Sequence, residues 1–352
     1  MFITGLGTAT PERSYTQVQC WEALQQSERF SELEPRSRAV LKKVLLGKNG
    51  IVSRFLALDS LAEAFELTPD ALHARFSRHA PALATLAAER ALTEARLSPE
   101  DIDAVLISTC TGYLCPGLTS YVSERLHLKE SVLALDLVGQ GCGAALPNLR
   151  NAEALLAAGR CQHALSICVE VCSAAFYFDN DPGVLISACL FGDAAGAAVV
   201  SNRASGAGRK VEWKAAGSIL NPSGRDLLRF EQKGGMLRNI LTPEVPALAA
   251  THAGRVFEQV ARPAGLSRER VAAWIWHAGG REVLRALQEQ FGLDESAMGW
   301  SAMALSELGN VSSPFLFHVL QRALQNQAPG GNWWLCSFGA GFSCHGAVLE
   351  VE

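Results

Sequence analysis

Short apolar runs alternate with longer amphipathic stretches along most of this chain. The opening MFITGLGTATPERS reads as a first buried strand closed by a glycine-containing turn. Residues 16–94 read mostly helical, with broken apolar periodicity and alanine-rich stretches. Thr68-Pro69-Asp70 marks a helix start, because the hydroxyl can cap and proline suits the first helical position. Ser98-Pro99-Glu100-Asp101 opens a short helical turn. Strands are predicted at 104–109, 132–137, 164–169 and 196–200. A second set follows at 211–219, 272–276, 333–337 and 346–349, with helices at 282–290 and 315–324. The apolar stretch VLISACLFGDAAGAAVV reads as strand, turn, strand. Strands alternating with helices indicate an α/β architecture.

The halves echo one another. LSPEDIDAVLIS at 97–108 matches LSRERVAAWIWH at 266–277, an offset of 169 positions (277 against 108). Gly141-Cys142 and Gly309-Asn310 each precede a helical pattern, at an offset of 168 (310 against 142). A weaker echo pairs FGDAAGAAVV (191–200) with FGAGFSCHGAVLE (338–350). These offsets predict a duplicated β/α unit with its boundary in the polar segment 202–210, giving halves 1–203 and 204–352. A packed duplicate would set Cys142 and Asn310 at helix N-termini facing a shared centre.

Composition narrows the class. Hydrophobic residues make up 49% and charged residues 19% of the 352, enough to fill a core and too apolar for global disorder. A formal charge of −4 argues against general nucleic-acid binding and a polybasic membrane surface, though a local basic mouth remains compatible. The N-terminus lacks a basic region followed by a long apolar one, and Asp193 interrupts the most apolar later stretch. No membrane span is expected, and a cytoplasmic location follows by default. Ten cysteines without a CxxC do not make a disulfide scaffold. Cys168 and Cys172 would share a strand face, but no second ligand pair accompanies them, so no metal is expected.

Three residues stand out chemically. Cys142, in GQGCGAALPNLRNAEALLAAG, falls where an apolar strand hands over to a helix. Unpaired amides and the helix field would stabilise a thiolate there; the competing reading is a buried free thiol. Pro147 is tolerable in the first helical turn. His277 ends AAWIWH before Ala278-Gly279-Gly280, which would leave its ring exposed on a rigid base or hydrogen-bonded in the core. Asn310 reads most simply as a helix N-cap. Together they supply a nucleophile and two donors for a thioester oxygen. With no Asp placed to complete a hydrolase triad, the set suits carbon–carbon bond formation on thioesters better than proteolysis.

The motifs CTGYLCPG, VGQGCGAA, LFGDAAGAAVV, IWHAGG, LSELGNVSSPFLF and SFGAG, in this order over nearly the whole chain, resemble the type III polyketide synthases. These are the chalcone and stilbene synthase family of thiolase-like condensing enzymes. The resemblance implies an αβαβα fold of two related halves and a homodimer. It implies Cys142 as nucleophile, His277 and Asn310 as its partners, and Phe191 as an entrance aromatic. The second gatekeeping position, around residues 237–240, offers no Phe. Acyl-pocket positions fall on Cys110, Cys115, Cys172 and Ala175, small side chains that could leave room for a long or bulky acyl group. Cys115 would also lie near the dimer interface. Lys42, Lys43 and Lys48 are the corresponding coenzyme A candidates, with a plain solvated helix face as the alternative. HAGG replaces the usual HPGG, and SFGAG the usual GFGPG.

The implied substrates are an acyl-CoA starter and malonyl-CoA, with an acyl carrier protein as a further starter donor and alkylpyrones or alkylresorcinols as product classes. No nicotinamide or flavin is implied, since LGTAT lacks a GxGxxG pattern. The rivals are a 3-oxoacyl-ACP synthase III-like enzyme performing one condensation, a noncatalytic thiolase-like scaffold, and a thioesterase-like acyltransferase.

Overall fold

The computed structural model describes residues 1–204 and 208–352. The predicted boundary segment 202–210 therefore includes three residues, 205–207, that lie outside the described ones.

Nine strands form one hydrogen-bonded sheet. Their order is Val271–Trp276, Gly331–Gly339, Ser343–Val351, Val211–Leu220, Phe2–Ala9, Ala194–Ser201, His163–Glu170, Ala104–Thr109 and Leu133–Val138. The seam is a short antiparallel pairing in which Phe2 faces Glu212 and Ile3 faces Val211. Outward from it each half repeats one pattern: two antiparallel steps, then a parallel one. Equivalent strands begin at Ala104 and Val271, and at His163 and Gly331, offsets of 167 and 168 that match the sequence echo. The N-terminal half adds Leu133–Val138 at its edge.

Helices Ala145–Ala157 and Phe315–Gln325 lie between the half-sheets and touch strands of both. Pro69–Ala95 covers the outer face of one half and Val245–Val260 that of the other, giving five layers, αβαβα. The first outer helix shows how sequence sets spacing. Thr68 Oγ1 accepts from Ala71 N at 3.2 Å and Pro69 opens the helix. Its inward face includes Ala80, Ala84, Ala87, Ala88, Ala91 and Ala95, all buried. Opposite lie Gly5 and Gly7, where an added Cβ would come 2.1 Å from the Ala91 and Ala87 carbonyl oxygens. Small residues on both sides let helix and strand touch, and overpacking here would cost about 1–3 kcal/mol. The other half packs on aromatics: Trp274 and Trp276, two apart on one strand face, stack at 5.2 Å.

Some expectations need correction. VLISACL is helical, within Pro182–Leu190. Asp181 accepts from Gly183 N and Val184 N and Pro182 sits at the first position, so N-terminal capping outweighs the apolar run. Residues 46–68 interrupt the predicted helical region, with Ser53–Phe55 paired to Ser14–Thr16. The helices Leu118–Leu126, Val245–Val260 and Gly299–Leu308 were not anticipated, nor the hairpin Leu228–Lys233/Met236–Leu241. No helix among the described residues is long and apolar enough to cross a membrane.

Candidate active site

Cys142 occupies a tight turn, Gly141–Gly143, between the strand Leu133–Val138 and the central helix Ala145–Ala157. Gly141 has φ +57°, a conformation that favours glycine. A Cβ on Gly141 would lie 2.9 Å from Ala340 N, and one on Gly143 2.9 Å from Gly339 N. The turn thus presses against the end of strand Gly331–Gly339, and Ser337 Oγ donates to Gly143 O at 3.0 Å. Pro147 lies in the first helical turn, where it costs no hydrogen bond.

Asn310 is not a helix cap. The helix begins five residues later, at Phe315. Oδ1 accepts from Ser312 N at 2.9 Å, an Asx-type turn, and Nδ2 donates to Gly279 O at 3.2 Å. The second Nδ2 hydrogen stays available to a ligand. Main-chain bonds join Asn310 to the end of helix Pro182–Leu190: Asn310 N donates to Leu190 O and Gly192 N to Asn310 O.

His277 follows the strand Val271–Trp276 directly, and its N–H donates to Cys336 O at 2.8 Å. The ring is buried at 2% exposure, against one of the two placements that the sequence left open. It packs edge-on to Phe315 at 5.4 Å, and Nδ1 has no hydrogen-bond partner. Burial depresses the imidazole to about 3. Burial also pushes the Cys142 thiol up to about 12, outweighing the Ser312 hydroxyl, which donates to Sγ at 3.2 Å. Each group alone is neutral near pH 7. Helix N-terminal stabilisation of a thiolate, expected from sequence, does not dominate here.

Cys142, His277 and Asn310 line one cavity of about 470 Å³. Its remaining wall is mainly apolar, including Leu190, Phe191, Leu241, Val245 and Phe338, and exposed Lys48 and Arg281 also line it. Phe191 is shared with a second pocket of only about 10 Å³, bounded by Cys172, Ala175, Phe176, Tyr177, Phe230 and Asn239 among others. The roomy acyl pocket suggested by small side chains is therefore refilled by Phe176, Tyr177 and Phe230.

Other expected residues scatter. Cys110 is half-buried beside Glu170 and Ser312, with Sγ 3.2 Å from Glu170 Oε1 and 3.6 Å from Ser312 Oγ. Cys115 is exposed and lines neither pocket. Lys42 and Lys43 are exposed on helix Pro35–Leu45 and do not line the cavity, whereas Lys48 does. The sequence reading missed Ser312 and Glu170, the hairpin residues Phe230 and Asn239, and Arg281. Ser312 was legible in GNVSSP; the hairpin contacts depend on tertiary packing.

A family model described as FAE1/Type III polyketide synthase-like protein matches residues 9–215, and one for the C-terminal domain of chalcone and stilbene synthases matches 219–351. Phloroglucinol synthase of Pseudomonas fluorescens is 30% identical, covering 89% of this chain and 90% of its own. A 1,3,6,8-tetrahydroxynaphthalene synthase of Streptomyces peucetius is 27% identical over 99% and 92%. The crystal structure of PKS-I from the brown alga Ectocarpus siliculosus superposes with TM-score 0.90 at 25% identity, covering 99% of this chain and 97% of that one. With a thiol, an imidazole and an amide converging on one cavity of a two-half αβαβα body, and family models covering both halves, this chain belongs to the type III polyketide synthases.

Proposed function

We propose that Cys142, His277 and Asn310 are the catalytic set of a decarboxylative condensation between an acyl-CoA starter and malonyl-CoA, followed by cyclisation. The observation that carries this reading is the single cavity onto which all three side chains open. Cys142 passes its proton to His277 and attacks the starter thioester; coenzyme A leaves with that proton, and the acyl group stays on sulfur. Malonyl-CoA then binds with its thioester oxygen between His277 and Asn310. As the terminal carboxylate leaves as carbon dioxide, the electron pair forms an enolate that these two donors stabilise. The enolate carbon attacks the Cys142 thioester, forming the new C–C bond and expelling the thiolate. The β-ketoacyl-CoA so formed passes its acyl group back to the Cys142 thiolate as coenzyme A leaves, and repetition lengthens the poly-β-keto chain. Phe191 stands between the reacting cavity and the small pocket behind it, as an entrance aromatic would. Cys172 and Ala175 line that second pocket as acyl contacts.

Lys48 and Arg281 are the cations suited to the phosphates of coenzyme A. A carrier protein could deliver the starter through the same mouth. A working division sets the nucleophile in residues 1–203 and its partners in 204–352. A homodimer is supported by the sheet edge: Leu133 is 40% and Val138 61% exposed on a largely apolar edge strand that pairs on one side only, with Ala104–Thr109. A cytoplasmic site accords with coenzyme A thioester substrates.

The deciding experiment incubates the enzyme with malonyl-CoA and a panel of short, aromatic and long acyl-CoAs, and reads products by mass spectrometry. Triketide or longer pyrones or resorcinols are expected. A single β-ketoacyl-ACP product, seen only when carrier protein is supplied, would replace this reading with one-step condensation.

A further inference from the structure

Helix Pro182–Leu190 is a partition. Ile186 and Leu190 face the reacting cavity, Val184 and Ser187 face the small pocket, and Cys189 borders a third void of about 30 Å³ beneath the N-terminal helices. Phe191 follows its last turn, so the placement of that end sets the opening between the first two spaces. The same end carries Asn310, through its amide to Leu190 O at 2.8 Å and its carbonyl from Gly192 N at 3.0 Å.

One charged side chain reaches this junction. Arg54 comes from the short strand Ser53–Phe55 and is only 3% exposed. A single guanidinium nitrogen, Nη1, donates to Ala188 O at 2.7 Å and to Phe191 O at 2.8 Å. Its stem packs on the residue before Asn310: a Cβ on Gly309 would lie 2.9 Å from Arg54 Cγ. Nε is buried without a partner, and the side chain borders the third void.

A buried cation is costly without a compensating partner. Here its hydrogen bonds run to the carbonyls of a helix C-terminus, where the dipole favours positive charge. Those carbonyls would otherwise be orphaned, because the chain turns extended at Phe191. An apolar side chain could fill the space but could not hold two carbonyls and Gly309 in one register.

We infer that Arg54 is a positioning residue that fixes Phe191 and Asn310 relative to each other, and so sets both the oxyanion geometry and the opening to the inner pocket. The inference rests on the condensation reading above. Arg54 touches neither thioester, and acts through the Phe191 carbonyl and the Gly309 main chain.

The test compares Arg54→Met and Arg54→Lys with the wild-type enzyme in three assays: Cys142 acylation by intact-protein mass, malonyl-CoA decarboxylation, and product distribution. Arg54→Met should lower kcat for decarboxylation about tenfold or more while KM for the starter stays within about twofold, since displacing a donor by a fraction of an ångström weakens only the developing charge. Its products should shift in chain length. Arg54→Lys keeps the charge and reaches one carbonyl, and should recover a substantial part of the loss. If Arg54→Met does not fold, Arg54→Lys alone decides, with a reduced kcat at unchanged KM as support. A variant that melts lower yet keeps wild-type kcat and product ratios would overturn the inference and make Arg54 a stabilising cap only. Failure of the wild-type enzyme to form any polyketide would instead sink the condensation reading.

Discussion

In the N-terminal half, strand Ala104–Thr109 hands over to Cys110 beside Glu170; in the C-terminal half, the equivalent strand Val271–Trp276 hands over to His277. Both ends bury a titratable group, and they treat it differently. The Glu170 carboxylate is fully buried and accepts from Cys110 N at 3.0 Å, Thr111 Oγ1 at 2.9 Å and Ser313 Oγ at 2.7 Å, with Thr109 and Ser312 hydroxyls and the Cys110 thiol also within reach. Burial raises its pKa and these donors pull it back. The His277 ring has no such shell; only burial acts on it, and downward. A saturated polar group is a brace, whereas an unsatisfied one on a cavity wall has its capacity in reserve for a substrate. On the proposed condensation reading the duplicated halves divide labour, one strand end holding the chamber together and the other working in it.

The sharpest way to break this contrast is to remove Cys142, the nucleophile proposed above. Cys142→Ala should abolish covalent acylation and lower polyketide formation by at least about 10⁴-fold. Acyl-CoA labelling followed by intact mass measurement checks it. Persistent labelling of the variant at another cysteine would move the nucleophile elsewhere, with Cys110 the first place to look.

Next in size is His277→Gln, which should cost about 10²–10³-fold in kcat. Its pH signature is more telling. With the thiol near 12 and the imidazole near 3, each group keeps its neutral form across the whole interval between. Burial thus keeps resting thiolate scarce, and alkylation of Cys142 by iodoacetamide should climb about tenfold per pH unit between pH 6 and 9 in the wild type and in His277→Gln alike. A flat wild-type profile that steepens only in His277→Gln would show instead that the two groups rest as an ion pair sharing one proton.

On the bracing side, Glu170→Ala should act through stability. It leaves the Cys110 amide and the Thr111 and Ser313 hydroxyls without their acceptor in a buried setting, a loss of about 2–4 kcal/mol. Denaturant melts should show a lower midpoint at an unchanged slope. Glu170→Gln should fall between, because an amide keeps one acceptor oxygen. Unchanged midpoints in both variants would mean that the hydroxyls find other partners and the contrast between the strand ends is not one of structure against chemistry.

How much of this was legible in the sequence depends on whether a residue's role is local. The Thr68-Pro69 helix start, the strand before Cys142 and the repeat offsets are written in neighbouring residues, and they hold. The apolar composition of 184–190 suggests a strand, but the Asp181-Pro182 start signal prevails and the segment is helical. Residue type and position suit Asn310 to a cap, yet its oxygen bonds only two residues ahead and the helix starts later. The pocket volume was beyond reach for another reason. Cys172 and Ala175 are small, but Phe230 arrives from a hairpin more than fifty positions away, and no local pattern announces that it fills the same space.

The smallest predicted effect sharpens the comparison at the rim, where charge meets solvent. Lys42, Lys43 and Lys48 look alike in sequence, but only Lys48 borders the cavity, and Arg281 beside it donates to the Lys48 carbonyl at 2.8 Å. An exposed cation gains little from an anionic partner in water, about two- to fivefold in affinity, and salt screens that gain. Lys48→Ala should thus raise KM for coenzyme A thioesters by about that factor with kcat unchanged, and the difference from wild type should shrink in 0.5 M salt because the Debye length falls to about 4 Å. Lys42→Ala and Lys43→Ala should leave both constants within about twofold. An N-acetylcysteamine thioester, which lacks the nucleotide phosphates, separates the cause: the Lys48→Ala penalty should vanish with it if the lysine meets phosphate, and should persist if the lysine merely shapes the loop that Arg281 holds. Equal penalties from all three lysines would mean that the coenzyme A arm of the substrate lies across the helix face and enters from a different side than the cavity opening indicates.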